Sequence, residues 1–248
     1  MVTIVAVSIV GVTVIAATLW LAGKGGTVKA VAGKTGKHAA SAKRRTVPDS
    51  EHAARWAIGI MSPVAICTLT LSYLELVPLY LSLIFLVIPA YTAMTIIGIL
   101  VPFVGKRALI GFTAGFLATL MYDGARLLIA YAHDGYDPIG HIGEHLFGEG
   151  TSPTVGYLWR FYGNGAGLGI LFAMLPNWWH NVRGGFIYGT IIAVGMAGTL
   201  ALSDVAQSHL FVLTPGVLVD GTLGHWAYGL SLGFLVLMAR RKLLKEET

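Results

Sequence analysis

Between residues 133 and 153 the chain reads His133-Asp-Gly-Tyr-Asp137-Pro-Ile-Gly-His141-Ile-Gly-Glu-His145-Leu-Phe-Gly. Imidazoles and carboxylates at this density are groups that hold metal ions or move protons. Asp137 before Pro138 is a helix-start signal, because the carboxylate can accept amide hydrogens of the first turn and proline suits the first helical position. The spacing predicts a short helix over 138–147. On it Asp137, His141 and His145 recur every four residues and Glu144 follows His141 by three, so all four share one face. Ile139, Ile142 and Leu146 supply a neighbouring apolar face.

One ion cannot take the whole row. Asp137 and His145 are eight residues apart, about 12 Å along a helix, whereas metal–ligand bonds are about 2 Å. The workable unit is His141 with His145, or Asp137 with His141, completed from another element. His133, Asp134, Asp204, His209, Asp220 and His225 are the donors on offer, which makes His141, His145, Asp137, Glu144 and His225 the candidate metal set. The ion would be a divalent transition metal, with zinc, copper and iron not distinguishable. The competing reading makes Asp137 a cap, the two histidines interfacial and Glu144 a surface charge. The string His141-Ile-Gly-Glu-His145 resembles the His-x-x-Glu-His motif of inverzincin metalloproteases, which implies two zinc ligands and a glutamate base. Asp137 with His141 resembles the Asp-x3-His of the copper-binding subunit of particulate methane and ammonia monooxygenases. There the next histidine follows after twelve intervening residues; here His145 follows after three.

A second group is ionisable residues inside apolar runs: Asp123, Arg126, Arg160 and Asp204. Such charges are costly in lipid and face a partner, a cavity or a polar site. Asp123 and Arg126 are three apart and suit an intrahelical pair. Arg160 has Asp123, Asp204 or the interface within reach. No catalytic residue is assigned. Gly163, Gly165, Gly167 and Gly169 are read as helix packing and not as a nucleotide loop, because they fall inside a predicted span.

The elements that position these residues are read from hydropathy. The 248 residues are 55% hydrophobic and 12% charged, with mean hydropathy +0.72, which excludes an ordinary soluble domain. The pattern predicts an all-α integral membrane protein of about seven transmembrane helices. Residues 1–22 form an anchor and 23–55 a basic loop; 56–248 form a six-helix bundle with an outer loop at 133–153. Its spans fall near 57–103 (two, turning at Glu75 and Pro78), 108–132, 154–175, 185–211 and 222–239. Fifteen of the 17 Lys and Arg lie in four segments, at 24–55, 106–107, 183 and 240–245. By the positive-inside rule these are cytoplasmic, so the N-terminus and the 133–153 loop lie outside and the C-terminus inside. Trp178 and Trp179 beside Arg183 suit an interfacial anchor. The basic loop attracts anionic lipid and lacks the base-reading residues of a nucleic-acid binder. Arg126 and Arg160 are the two exceptions to the charge partition. Cys67 is the single cysteine, which rules out an intrachain disulfide.

The second half suggests a duplicated hairpin: Gly111 and Gly185 open the rising spans, and Tyr162-Gly163 and Tyr228-Gly229 mark the returning ones. Gly111/Gly115, Gly185/Gly189 and Gly229/Gly233 have the spacing that lets membrane helices approach closely. With Leu223-Gly-His225-Trp-Ala-Tyr-Gly229-Leu-Ser-Leu-Gly233 before Arg240 and Arg241, residues 108–241 resemble the YagU-related bacterial inner-membrane proteins. The resemblance implies a small helical protein of the inner membrane linked to acid resistance and carries no catalytic mechanism. Three functions follow as expectations. The first is a subunit or accessory protein of a membrane complex, bound to other membrane subunits or to copies of itself, with an outer metal-binding cluster. The second is a metalloenzyme on His141 and His145 with Glu144 as base. The third is a transporter using Asp123, Arg126, Arg160 and Asp204.

Overall fold

Prolines and capping side chains divide the chain into its helices. The computed structural model describes residues 49–133 and 137–246, which are helical with short connections. The 1–22 anchor, the basic loop up to residue 48 and Asp134 lie outside the described residues. Helix α1 (Asp49–Met61) breaks at Ser62-Pro63 and resumes as α2 (Val64–Tyr73). A turn follows in which Glu75 takes φ +58°, a left-handed conformation that sharply reverses the chain. Helix α3 (Leu79–Leu100) widens into a π-helical turn at Leu83–Val87. Pro89 lies just beyond it and cannot donate to the ladder, so the wider turn absorbs the missing bond.

Pro102 starts α4 (Pro102–His133), and the predicted short helix is α5 (Ile139–Phe147). Helix α6 covers 153–174. It starts at the Ser152 cap and Pro153, and passes through a second π-helical turn at Trp159–Gly165. After a 3-10 turn at Asn177–Trp179, the Asn181 side chain caps α7 (Val182–Leu202), accepting from the Gly184 amide at 2.9 Å. Helix α8 (Asp204–His209) and helix α9 (Pro215–Glu246) complete the order.

Among the described residues five stretches are long and apolar enough to cross a membrane: Ser50–Tyr73, Leu79–Leu100, Pro102–Arg126, Val182–Leu202 and Pro215–Arg241. Helix α6 is long enough for a sixth, but Arg160, Asn164 and its glycines leave it less apolar than the others. Several boundaries differ from the hydropathy reading: α1 already begins at Asp49, inside the 23–55 stretch read as a loop, and α4 begins at Pro102 and not near 108. The run expected over 185–211 ends at Leu202, because the Ser203 side chain accepts from the Ala206 amide at 2.9 Å and starts a new helix. The last span begins at Pro215 and not near 222, which puts Asp220 within the helix.

Glycine seams hold the second half together. A Cβ at Gly111 would come within 2.6 Å of the Gly169 carbonyl, and one at Gly185 within 2.9 Å of Gly233 Cα. The backbones of α4 and α6, and of α7 and α9, therefore touch directly. The likeness of the two hairpins extends to packing, but in another register: the Gly169 carbonyl faces Gly111 as the Gly229 carbonyl faces Gly185, so Gly169, not Gly163, holds the place of Gly229. Tyr122, Phe172, Tyr188, Tyr228 and Leu232 fill the core between the pairs.

Candidate functional site

At the α5 end of the bundle the charges inside the spans converge. Asp123 lies on α4 and is buried. Its Oδ1 accepts from Arg160 Nη2 at 3.0 Å and Nε at 3.2 Å. Arg126, one turn further along α4, has Nε 3.5 Å from the same oxygen and Nη1 3.0 Å from Asp137 Oδ1. The Arg160 guanidinium also lies over the Tyr122 ring, 4.2 Å from its centroid. Two carboxylates and two guanidiniums thus alternate, Arg160–Asp123–Arg126–Asp137, across α4, α6 and the start of α5. Of the partners offered by the sequence, Arg160 takes Asp123. Asp204 stands apart, exposed in the first turn of α8, where a carboxylate complements the helix dipole.

Asp137 closes the chain of charges. Its Oδ1 also accepts from the Ile139 amide at 3.1 Å, as the helix-start signal predicted, and its Oδ2 accepts from Tyr157 Oη. Partial burial raises its pKa, but Tyr157, the Ile139 amide and Arg126 together outweigh that and hold the carboxyl below its ordinary value. Tyr157 was missed in the sequence. It lies three residues before Arg160 on the same helix, a spacing that puts both on one face.

The His/carboxylate row of α5 divides between two niches. His141 Nδ1 is 2.6 Å from Glu144 Oε2, and both line a cavity of about 260 Å³ with Asp137, Gly140, Pro153 and Tyr157. His145 turns to the bundle: Nε2 is 2.8 Å from Ser72 Oγ, its ring stacks on Tyr73 at 4.7 Å, and His209 of α8 lies 5.1 Å away edge-on. Burial, and then His209, lower the pKa of His145. His225 is elsewhere again, buried on α9 against Tyr122, with Nδ1 2.6 Å from the Gly221 carbonyl. Among the described residues no three His, Cys, Asp or Glu side chains come together as a metal-holding group. Of the α5 histidines, His141 is the one with a carboxylate on its ring, the Nδ1–Glu144 contact being of the kind that orients metal-ligating imidazoles.

The π-helical turn of α6 has a function in packing the site. A widened turn loosens the backbone ladder, and tyrosines from other helices donate to carbonyls along this stretch. Tyr91 reaches Tyr162 O and Gly163 O at 3.2 and 3.1 Å, Tyr228 reaches Gly165 O at 2.8 Å, and Tyr188 reaches Leu168 O at 2.8 Å. Arg160 lies inside that turn. Asn164 Oδ1 and Asp123 Oδ2 are buried there without a hydrogen-bond partner among the described residues.

No family model, curated protein or solved structure matches the chain.

Proposed function

We propose that this chain is a seven-span protein of a cell's inner (cytoplasmic) membrane, with its N-terminus outside and C-terminus cytoplasmic. It serves as a non-enzymatic subunit or accessory protein of a membrane complex. The observation that carries this reading is how the polar side chains are spent. Asp123, Arg126, Asp137 and Arg160 are engaged with one another and with backbone and tyrosine, an arrangement suited to locking helices together. The apolar surface of α3 supports a lipid or protein neighbour: only 11% of its spanning window is buried, and Phe85, Ile99 and Leu100 are each at least 70% exposed. The YagU-like resemblance of residues 108–241 is part of the same proposal.

In its sharper form the outer face holds a divalent metal, with His141 as the ligand, Glu144 as its orienting carboxylate and the remaining ligands from water or a partner. Purification in mild detergent tests the subunit reading, which predicts a native mass well above the 26.3 kDa chain; a stable monomer sinks it. Elemental analysis of the same material tests the metal. Content lost in His141→Ala and kept in His145→Ala supports it, and equal, negligible content in wild type and both variants removes it.

One observation favours the transporter as a second reading: a charged pair placed at an irregular turn of a buried helix, as Arg160 is, is a common device of ion-coupled carriers. Proton flux into proteoliposomes that stops in Asp123→Asn would favour it over the subunit.

A further inference from the structure

At the end of the bundle away from α5, three arginines from three helices converge on the C-terminus of α6. Arg55 of α1 donates from Nε to Met174 O at 2.6 Å and from Nη2 to Leu175 O. Arg107 of α4 donates to Ala173 O, to Leu175 O at 2.7 Å and to Asn177 Oδ1 at 3.2 Å. Arg240 of α9 donates to Asn177 O at 3.1 Å. These bonds satisfy the carbonyls that a helix end leaves unpaired. They do not neutralise charge, because carbonyls and an amide are neutral acceptors. Among the described residues none of the three forms an ion pair with a carboxylate, although Glu51 lies one turn before Arg55. Among the described residues, Nη1 of Arg55, Nη1 of Arg107 and Nη2 of Arg240 make no hydrogen bond.

Position identifies the ligand class. Arg107 and Asp123 are 16 residues apart on α4, about 24 Å along the axis, most of the roughly 30 Å thickness of a hydrocarbon core. If the Asp123 network marks one membrane boundary, the arginine collar marks the other. Trp178 is half exposed beside it and packs on Trp179, as expected of side chains at headgroup level. A concentrated positive charge with spare planar donors at that depth matches a phosphate.

We propose that Arg55, Arg107 and Arg240 bind the phosphate of an anionic phospholipid at the cytoplasmic boundary. The inference rests on the membrane-spanning reading above, but not on the subunit reading. It is tested on the full chain in zwitterionic detergent, by native mass spectrometry and thermal unfolding, with phosphatidylglycerol, phosphatidylcholine or inorganic phosphate added. Arg240→Gln is the informative variant, since Arg55 and Arg107 still cap α6 without it; Arg241→Gln is the matched control. Expected are retention of phosphatidylglycerol over phosphatidylcholine, an affinity about fivefold lower in Arg240→Gln, and less than half that effect in Arg241→Gln. Equal retention of both lipids, equal effects of the two substitutions, or full stabilisation by inorganic phosphate alone would each overturn the lipid assignment. A lower unfolding midpoint in Arg240→Gln with unchanged lipid preference would reduce the collar to a helix cap. Failure of the subunit reading would show as a monomer and leave these outcomes unaffected.

Discussion

Asp123 is the residue on which the α5 end depends, since both Arg126 and Arg160 lean on one of its oxygens. Removing one partner of a buried pair strands the other charge. Asp123→Ala is therefore expected to lower stability by about 3–5 kcal/mol, and the double variant with Arg160→Met by less than the sum of the single effects. Denaturant unfolding in detergent checks this, and additivity would show that the pair is not coupled. His180 makes a second prediction at this scale. It lies in the connection between α6 and α7, with Nε2 3.2 Å from Phe172 O. Burial, and then the guanidiniums of Arg107, Arg240 and Arg55, push its pKa down to about 3 from an ordinary 6.5. Between those values the unfolded chain binds the extra proton. The stability that His180 contributes is therefore full above about pH 6.5 and is lost as pH falls towards 3. His180→Phe should flatten the fall in unfolding midpoint between about pH 6.5 and about pH 5, and an unchanged slope would place the titration elsewhere.

Among the elements, the glycine seams separate close contact from mere helical glycine. A methyl at Gly229 would meet Gly189 Cα at 2.9 Å, whereas one at Gly195 or Gly198 meets nothing within 4 Å. Gly229→Ala is expected to cost about 1–3 kcal/mol by forcing α7 and α9 apart. Gly198→Ala should be neutral or stabilise by up to about 1 kcal/mol. Thermal unfolding of the two single variants reads the difference, and equal losses would mean that helix propensity, not contact, governs both. Much of this was legible because it is local: Asp137 as helix start, the Glu75–Pro78 turn and the small-residue spacing each need only neighbouring residues. The end of α7 was missed, because the apolar run through it masked the capping signal at Ser203-Asp204. The division of α5 was not legible. Whether His145 meets Tyr73 and His209 depends on how α2 and α8 pack, which no spacing within α5 encodes.

For the whole molecule, the two charged layers and the apolar belt between them make orientation measurable. In a Cys67→Ala background, Thr151→Cys should react with a membrane-impermeant maleimide in intact cells, and Lys106→Cys only after permeabilisation. The reverse pattern would invert the topology and move the arginine collar to the other leaflet. The orientation rests on the charge partition; the spacing of the charged layers, about 24 Å (about 1.5 Å per residue over 16 residues of α4), bears on span length and not on which layer faces the cytoplasm.

The two glycine seams are near copies, which creates a selection problem during assembly. Each returning helix, α6 or α9, meets its rising partner, α4 or α7, through the same kind of glycine contact, so a second copy of the chain would offer a competing mate. What tells them apart is the non-repeated contacts: Tyr188 on Leu168 O, Tyr228 on Gly165 O, and Arg160 on Asp123. Weakening those three should yield exchanged-hairpin dimers before it yields an unfolded chain. The tyrosines and the ion pair would then set which helix meets which.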